Sequence, residues 1–254
     1  TQLGVVLMNV FAINFSPKKF ESNTDQVLKP FLQGFSENLY TVDSIYASDF
    51  QIKRCLGQMS CHYKTPGKCR LNDDFSNIIL DKAVKADYWV FAFPIYADTS
   101  PGIFNDTILR LIMPLVEPFI ELVDGHFRHP ARRPDRNYKV IFITSSGYPD
   151  SDRYEPLWQF LKKYCNHRSN LLDFKGIIFR PSGSVFSQML KNNDKKAVDI
   201  QMAAKNAACE LVHKGDISQE TLQNVRTPLI SEHDLSIYGN KIIEGILNEN
   251  INCI

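Results

Sequence analysis

"INFSPKKFESNTDQVL", residues 13–28, ends an apolar run, passes through a Ser- and Asn-bearing turn and opens a helical pattern. Upstream, "GVVLMNVFAI" (4–13) is apolar without alternation, as in a strand buried on both faces. Downstream, Val27, Leu28, Phe31, Leu32 and Phe35 recur at helical spacing, with Pro30 expected to bend the start. Ser16, Ser22, Asn23 and Thr24 lie between strand and helix. Asn23 is placed to cap the helix, with Gln26 three residues on. A helix start offers N–H groups and a positive dipole end, so this turn is a candidate anion seat with Lys18 and Lys19 nearby. It is also what a plain capped helix would look like. The glycines of a Walker A loop or a Rossmann turn are missing, which disfavours ATP and a Rossmann-bound dinucleotide.

The same alternation continues along the chain. "YTVDSIYA" (40–47) reads as a second strand, "DDFSNIILDKAVKA" (73–86) as an amphipathic helix and "DYWVFAFPIY" (87–96) as a third strand. A long helix follows over 101–122, broken or kinked at Pro114 and Pro118. "YKVIFITSSG" (138–147) and "LLDFKGIIF" (171–179) supply two more strands around a helix over 153–165. Helical segments fill 187–214 and 232–248, and the turn-rich stretch 124–137 is the best candidate for an excursion from the core. Strands alternating with helices require parallel pairing and right-handed crossovers. The expectation is a three-layer α/β/α sandwich with a five-stranded parallel sheet in the order 2-1-3-4-5. Residues 1–185 are expected to form the main domain, and 186–254 a C-terminal helical extension packed on it. Ligands of such sheets sit beyond the carboxyl ends of the strands, where the order reverses.

Bulk properties narrow the function. The chain has 254 residues and a formal net charge of +1, without the basic excess of a dedicated nucleic-acid binder. The apolar segment 103–123 carries charges and prolines, so no membrane span is expected. No secretory leader is legible, and six cysteines are too sparse for a disulfide scaffold, which points to a reducing, cytoplasmic setting.

Two further strand ends resemble the first in composition. Pro94, Ile95 and Tyr96 follow the third strand, and Ser145, Ser146, Gly147 and Tyr148 follow the fourth. An aromatic and an apolar residue suit a flat ring, and small residues permit close approach.

Taken together, "NFSPKKFESNT", the Pro94–Tyr96 segment and the Ser145–Gly147 loop resemble the flavodoxin-like NAD(P)H-dependent FMN reductase family. The first is similar to that family's N-G-S-P-R-x-x-x-[SG]-N-T loop, with Phe15 in place of Gly and Lys18 in place of Arg. "MPLVEPFIELVDGHFRHPAR" and "GDISQETLQNVRTPLISEHDL" are similar to segments of one subgroup, although Leu109 precedes Arg110 where that subgroup carries Asp-Arg. The resemblance implies FMN, its phosphate on Ser16, Lys18, Ser22, Asn23 and Thr24, and its ring between Pro94–Tyr96 and Ser145–Tyr148. It implies NAD(P)H as co-substrate, a small-molecule or protein electron acceptor, and a homodimer. Hydride transfer would then be the flavin's own chemistry, with no side chain needed as acid or base.

"CLGQMSCHYKTPGKCRLNDD" (55–74) resembles the cysteine pattern of related iron–sulfur flavoproteins, but Gln58 stands at the second thiolate position. A four-thiolate cluster is therefore not expected, unless Cys165, Cys209 or Cys253 completes it in space. His62 is read as a surface residue, and "ARRPDR" (131–136) as a solvated turn able to attract phosphate. Two other readings stay open. One is an FMN and iron–sulfur electron-transfer protein. The other is a non-enzymatic flavodoxin-fold protein in which Phe15 blocks FMN.

Overall fold

The computed structural model describes residues 8–166 and 171–251. Residues 4–7 of the first apolar run, and Cys253, lie outside them. Five strands form one parallel sheet: β1 (Asn9–Asn14), β2 (Thr41–Tyr46), β3 (Tyr88–Pro94), β6 (Tyr138–Ser145) and β7 (Leu172–Arg180). A separate antiparallel hairpin, β4 (Glu121–Val123) and β5 (His126–Arg128), stands between β3 and β6 in sequence. The main sheet runs β2-β1-β3-β6-β7. Counting its own strands alone, that is the expected 2-1-3-4-5 order, with the reversal between β1 and β3. β3 is buried at every position, as a central parallel strand must be when helices cover both faces.

Two apolar clusters fill the two sides of the sheet. One joins Phe11, Phe15, Trp89, Phe91, Phe104 and Phe142 to the helices that follow β2, β3 and β6. The other joins Val10, Val90 and Ile143 to α1 (Asp25–Glu37) and α7 (Lys195–Lys214). α7 presents Ala197, Ala203, Ala204, Ala207 and Ala208 inward. Small side chains are needed there because Gly34 of α1 sits against it: a Cβ on Gly34 would lie 2.5 Å from the carbonyl oxygen of Lys205. α6 (Gly183–Lys191) links β7 to α7, and α8 (Gln219–Arg226) packs on β7 and α7.

The helical expectations are met in part. Pro30 lies within α1. The helix expected over 101–122 breaks at Pro114, as expected, but does not resume: α4 covers Gly102–Ile112, a 3-10 turn spans Met113–Leu115, and the chain then enters the hairpin. Pro114 lacks the N–H that would extend the helix, and Asp124-Gly125, both at positive φ, form the two-residue turn that suits a hairpin. Finally, α8 was not legible: its polar residues outnumber its three buried ones, Thr221, Leu222 and Val225.

Candidate functional site

Three loops meet at one residue, Ser145. It ends β6 in register with Pro94 on one side and Arg180 on the other. Its carbonyl accepts the Ile95 N–H at 2.8 Å. Its hydroxyl lies 2.8 Å from the hydroxyl of Thr24, at the mouth of α1. The expected juxtaposition of the loops after β1, β3 and β6 is therefore present at the carboxyl edge of the sheet.

The loop after β1 is braced from within. Asn14 Nδ2 donates to Asp25 Oδ1 at 3.0 Å, and its own Oδ1 accepts the Ser16 N–H at 2.9 Å. Ser16 Oγ accepts the Lys18 N–H, and Ser22 Oγ accepts the Asp25 N–H at 3.1 Å while donating to Lys19 O. Ser16, Ser22 and Thr24 are buried, whereas Lys18 is exposed. Lys19 lies at φ 48° and pairs with Asp49 across the rim.

Asn23 does not cap α1. Ser22 takes that part, because its hydroxyl and carbonyl both face the Asp25 N–H. The Asn23 amide turns instead to the start of α6. Its nitrogen donates to Ser187 Oγ (2.6 Å) and Gly183 O (3.2 Å), and its oxygen accepts the Ser184 N–H (3.3 Å). Thus the loop after β1 is clamped to the element after β7. Lys18, Asn23 and Gln26 line a polar cleft of about 860 Å³ between this loop and α6.

Phe15, the residue on which the FMN-blocking reading rests, has a side chain that is 2% exposed and enters the core, while its N–H donates to Ala92 O at 2.7 Å and continues the β1–β3 ladder. The ring leaves the loop's outer face clear.

Pro94 and Ile95 are buried, and the Tyr96 side chain, 49% exposed, reaches the rim. Tyr96 and Thr99 exchange both backbone hydrogen bonds at 3.0 Å around Ala97 and Asp98. Both central residues sit at positive φ (46° and 62°), a costly arrangement for side chains with a Cβ. Across the crevice, Ser146 Oγ donates to Tyr148 O at 2.7 Å, and Gly147 has open space where a Cβ would point. Tyr148 is 57% exposed and carries the Arg153 guanidinium 5.0 Å from its ring centre. Arg153 Nε donates to Asp98 Oδ1 at 2.6 Å, tying the two loops together. Strained residues at this rim, Lys19, Ala97, Asp98 and Ser182, follow β1, β3 and β7. Backbone strain concentrates where surrounding structure enforces a working geometry.

Arg180 is the residue that sequence reading missed. It is fully buried at the end of β7 and, among the described residues, donates to carbonyls alone: Pro181 at 2.7 Å, Val225 at 2.7 Å and Thr227 at 3.0 Å. Burial pushes its pKa down to about 10, so it remains a cation at neutral pH. A buried positive charge paired with carbonyl dipoles raises the potential at the rim and favours an anion there. Its only sequence signal was position, the last residue of a strand.

The cysteine loop packs on α4, where the Cys55 N–H donates to Asp106 Oδ1 at 3.4 Å. Cys55, Cys61 and Cys69 share a hollow of about 40 Å³, yet among the described residues no set of three or more His, Cys, Asp or Glu is placed to hold a metal. Arg110 explains the loop's position. It grips Asp73 at 2.5 and 2.8 Å, donates to Ser76 Oγ, Lys53 O and Cys69 Sγ, and stacks on Phe75. Burial alone would raise the Asp73 pKa, but Arg110 and the Lys53 and Ser76 N–H groups hold it at about 2. His62 is buried, not on the surface, and its ring meets His129 edge-on at 5.4 Å. Burial, then the neighbouring His129 and Arg132, push its pKa down, favouring the neutral ring.

No family model matches the chain, and no curated protein does. Solved structures do match it in shape. An NAD(P)H:quinone oxidoreductase from Methanothermobacter marburgensis is 16% identical, with 82% of this chain covering 98% of that one at a TM-score of 0.56. An FMN-dependent NADH-azoreductase from Bacillus anthracis str. Ames Ancestor, in complex with FMN, is 19% identical, with 80% of this chain covering 100% of that one at 0.54. At such identities the likeness shows a shared flavodoxin-like fold.

Proposed function

We propose that this protein is an FMN-dependent NAD(P)H oxidoreductase. The observation that carries the reading is the convergence on Ser145 of the loops after β1 and β3, with Arg180 buried alongside. The donor chemistry fits the cofactor. Small hydroxyl side chains and Lys18 surround the α1 mouth, exposed tyrosine rings flank the crevice, and Gly147 leaves room for close approach. The burial of Phe15 in the core weighs against a fold that has lost FMN.

On this reading, the loop carrying Ser16, Lys18, Ser22, Asn23 and Thr24 holds the phosphate through its backbone N–H groups, the exposed Lys18 side chain adds charge, and the α1 dipole favours the anion. Pro94, Ile95 and Tyr96 lie on one side of the ring, and Ser145, Ser146, Gly147 and Tyr148 on the other. Bound FMN supplies the hydride and electron chemistry between a nicotinamide and an acceptor. The chain's own residues bind, orient and shield. Tyr96 and Tyr148 limit water at the rim, and the Asp98–Arg153 pair fixes the spacing of their loops.

The names of the structural neighbours, a quinone oxidoreductase and an azoreductase, support a conjugated two-electron acceptor such as a quinone. We place residues 1–185 as the flavin-binding unit, residues 186–254 as its helical extension, and the whole in a cytoplasmic homodimer. Among the described residues no helix is long and apolar enough to cross a membrane. Oxidation of NADH and of NADPH by the FMN-loaded protein, followed against quinone and azo acceptors, tests the activity. Turnover with neither nucleotide would overturn it.

A further inference from the structure

We infer that a basic cavity beside Cys69 admits a carboxylate-bearing, low-molecular-weight disulfide and delivers it to the Cys69 thiol. The cavity, about 550 Å³, lies between the cysteine loop, the helix α3 (Leu80–Lys85) and the 131–136 run. That volume is within the usual range for small-molecule sites. Its wall holds Lys68, Arg70, Arg132 and Arg133 against one acid, Asp81, which already binds Lys85 at 2.6 Å. Arg132 is spent on Glu117 and on the carbonyls of Pro114 and His62. Lys68, Arg70 and Arg133 are exposed and, among the described residues, form no ion pair. Three unengaged cations around an apolar floor that includes Leu80 and Leu115 select an anion with an organic body.

Cys69 lines this cavity and also the small hollow shared with Cys55 and Cys61. From the interior, Arg110 Nη2 donates to its sulfur at 3.4 Å and fixes it at the wall. The other two thiols do not line the basic cavity, and burial pushes the Cys61 thiol up, away from its reactive form. The step is thiol–disulfide exchange. Cys69 loses its proton to solvent, and its sulfur attacks one sulfur of the incoming disulfide. That S–S bond breaks, a new one joins Cys69 to one half, and the other half leaves as a thiolate with the electron pair. The incoming disulfide is the oxidant.

The test needs neither flavin nor nicotinamide, so its outcome is separable from that of the proposed activity. Whole protein is reacted with dithiobis(nitrobenzoate), a dicarboxylate, and with neutral dipyridyl disulfide, and the labelled cysteine is identified by peptide mass spectrometry. Cys69 is expected to be labelled first by the dicarboxylate. Lys68→Glu, Arg70→Glu and Arg133→Glu together are expected to slow that reaction about tenfold or more, as charge steering allows, and to change the neutral reagent's rate less than about twofold. Equal slowing of both reagents, no slowing, or prior labelling of another cysteine would overturn the inference. Circular dichroism of the triple variant separates a failed fold from a lost attraction.

Discussion

Phe15 meets Phe104 edge-on, with ring centroids 5.3 Å apart and planes at 86°. The contact turns the residue after β1 into the core and keeps the crevice above it open. Replacing Phe15 with Ala should therefore cost stability and little else. A buried Phe→Ala change removes about 3–5 kcal/mol. Urea melts should show that loss, while FMN affinity of the folded fraction should change by less than about tenfold. A large affinity gain on removing the ring would mean that Phe15 obstructs the phosphate after all.

Gly34 tests the packing of α1 on α7. A Cβ there would sit 2.5 Å from Lys205 O and 2.8 Å from Ala208 Cβ, and the former is backbone that cannot rotate away. Gly34→Ala, usually favourable in a helix, should instead destabilise by about 1–3 kcal/mol through overpacking. Thermal melts of the two proteins decide it.

Asp73 gives a pH signature. Arg110 and backbone N–H groups more than offset its burial and lower its pKa from 3.8 to about 2 in the folded chain. A depressed carboxyl contributes stability above the unfolded value of 3.8, and loses it as pH falls through the folded value of about 2. The amount is on the order of 2 kcal/mol. Urea midpoints measured from pH 5 to pH 2 should fall across that window in the wild type. In Asp73→Asn the fall should be smaller, from a lower starting stability, because the buried Arg110 cation is left unpaired.

The hydroxyl contact between Thr24 and Ser145 links two loops that sequence separates widely. Thr24→Val and Ser145→Ala should each cost about 1 kcal/mol of stability. The double variant should cost less than the sum, with a coupling of roughly 0.5–1.5 kcal/mol. FMN affinity should fall in both single variants. Strict additivity would show that the contact does not hold the loops together.

Much of this was legible in the sequence because parallel strands write themselves as unbroken apolar runs. "DYWVFAFPIY" could hardly be anything else, and the strand order followed from alternation with helices. The loops at the strand ends were found by composition. What escaped detection depended on distant partners. Asn23 sits where a cap belongs, but its partners are at 183–187, supplied by a helix that nothing near Asn23 announces. Arg180 and Asp73 are charged residues that sequence would place on the surface. The carbonyls of Pro181, Val225 and Thr227 on one side, and the Arg110 guanidinium with the Lys53 and Ser76 N–H groups on the other, make their burial tolerable. The β4–β5 hairpin was hidden behind an apolar run whose prolines, not its periodicity, determined its conformation.

Flavin uptake is the most direct measurement. Purified protein is dialysed to equilibrium against FMN at about 100 µM, which would largely fill a site of about 10 µM Kd, and the excess flavin absorbance on the protein side is recorded. The account predicts one FMN bound per chain, with uptake sharply reduced in Ser145→Ala. A natively folded protein that takes up none would contradict it.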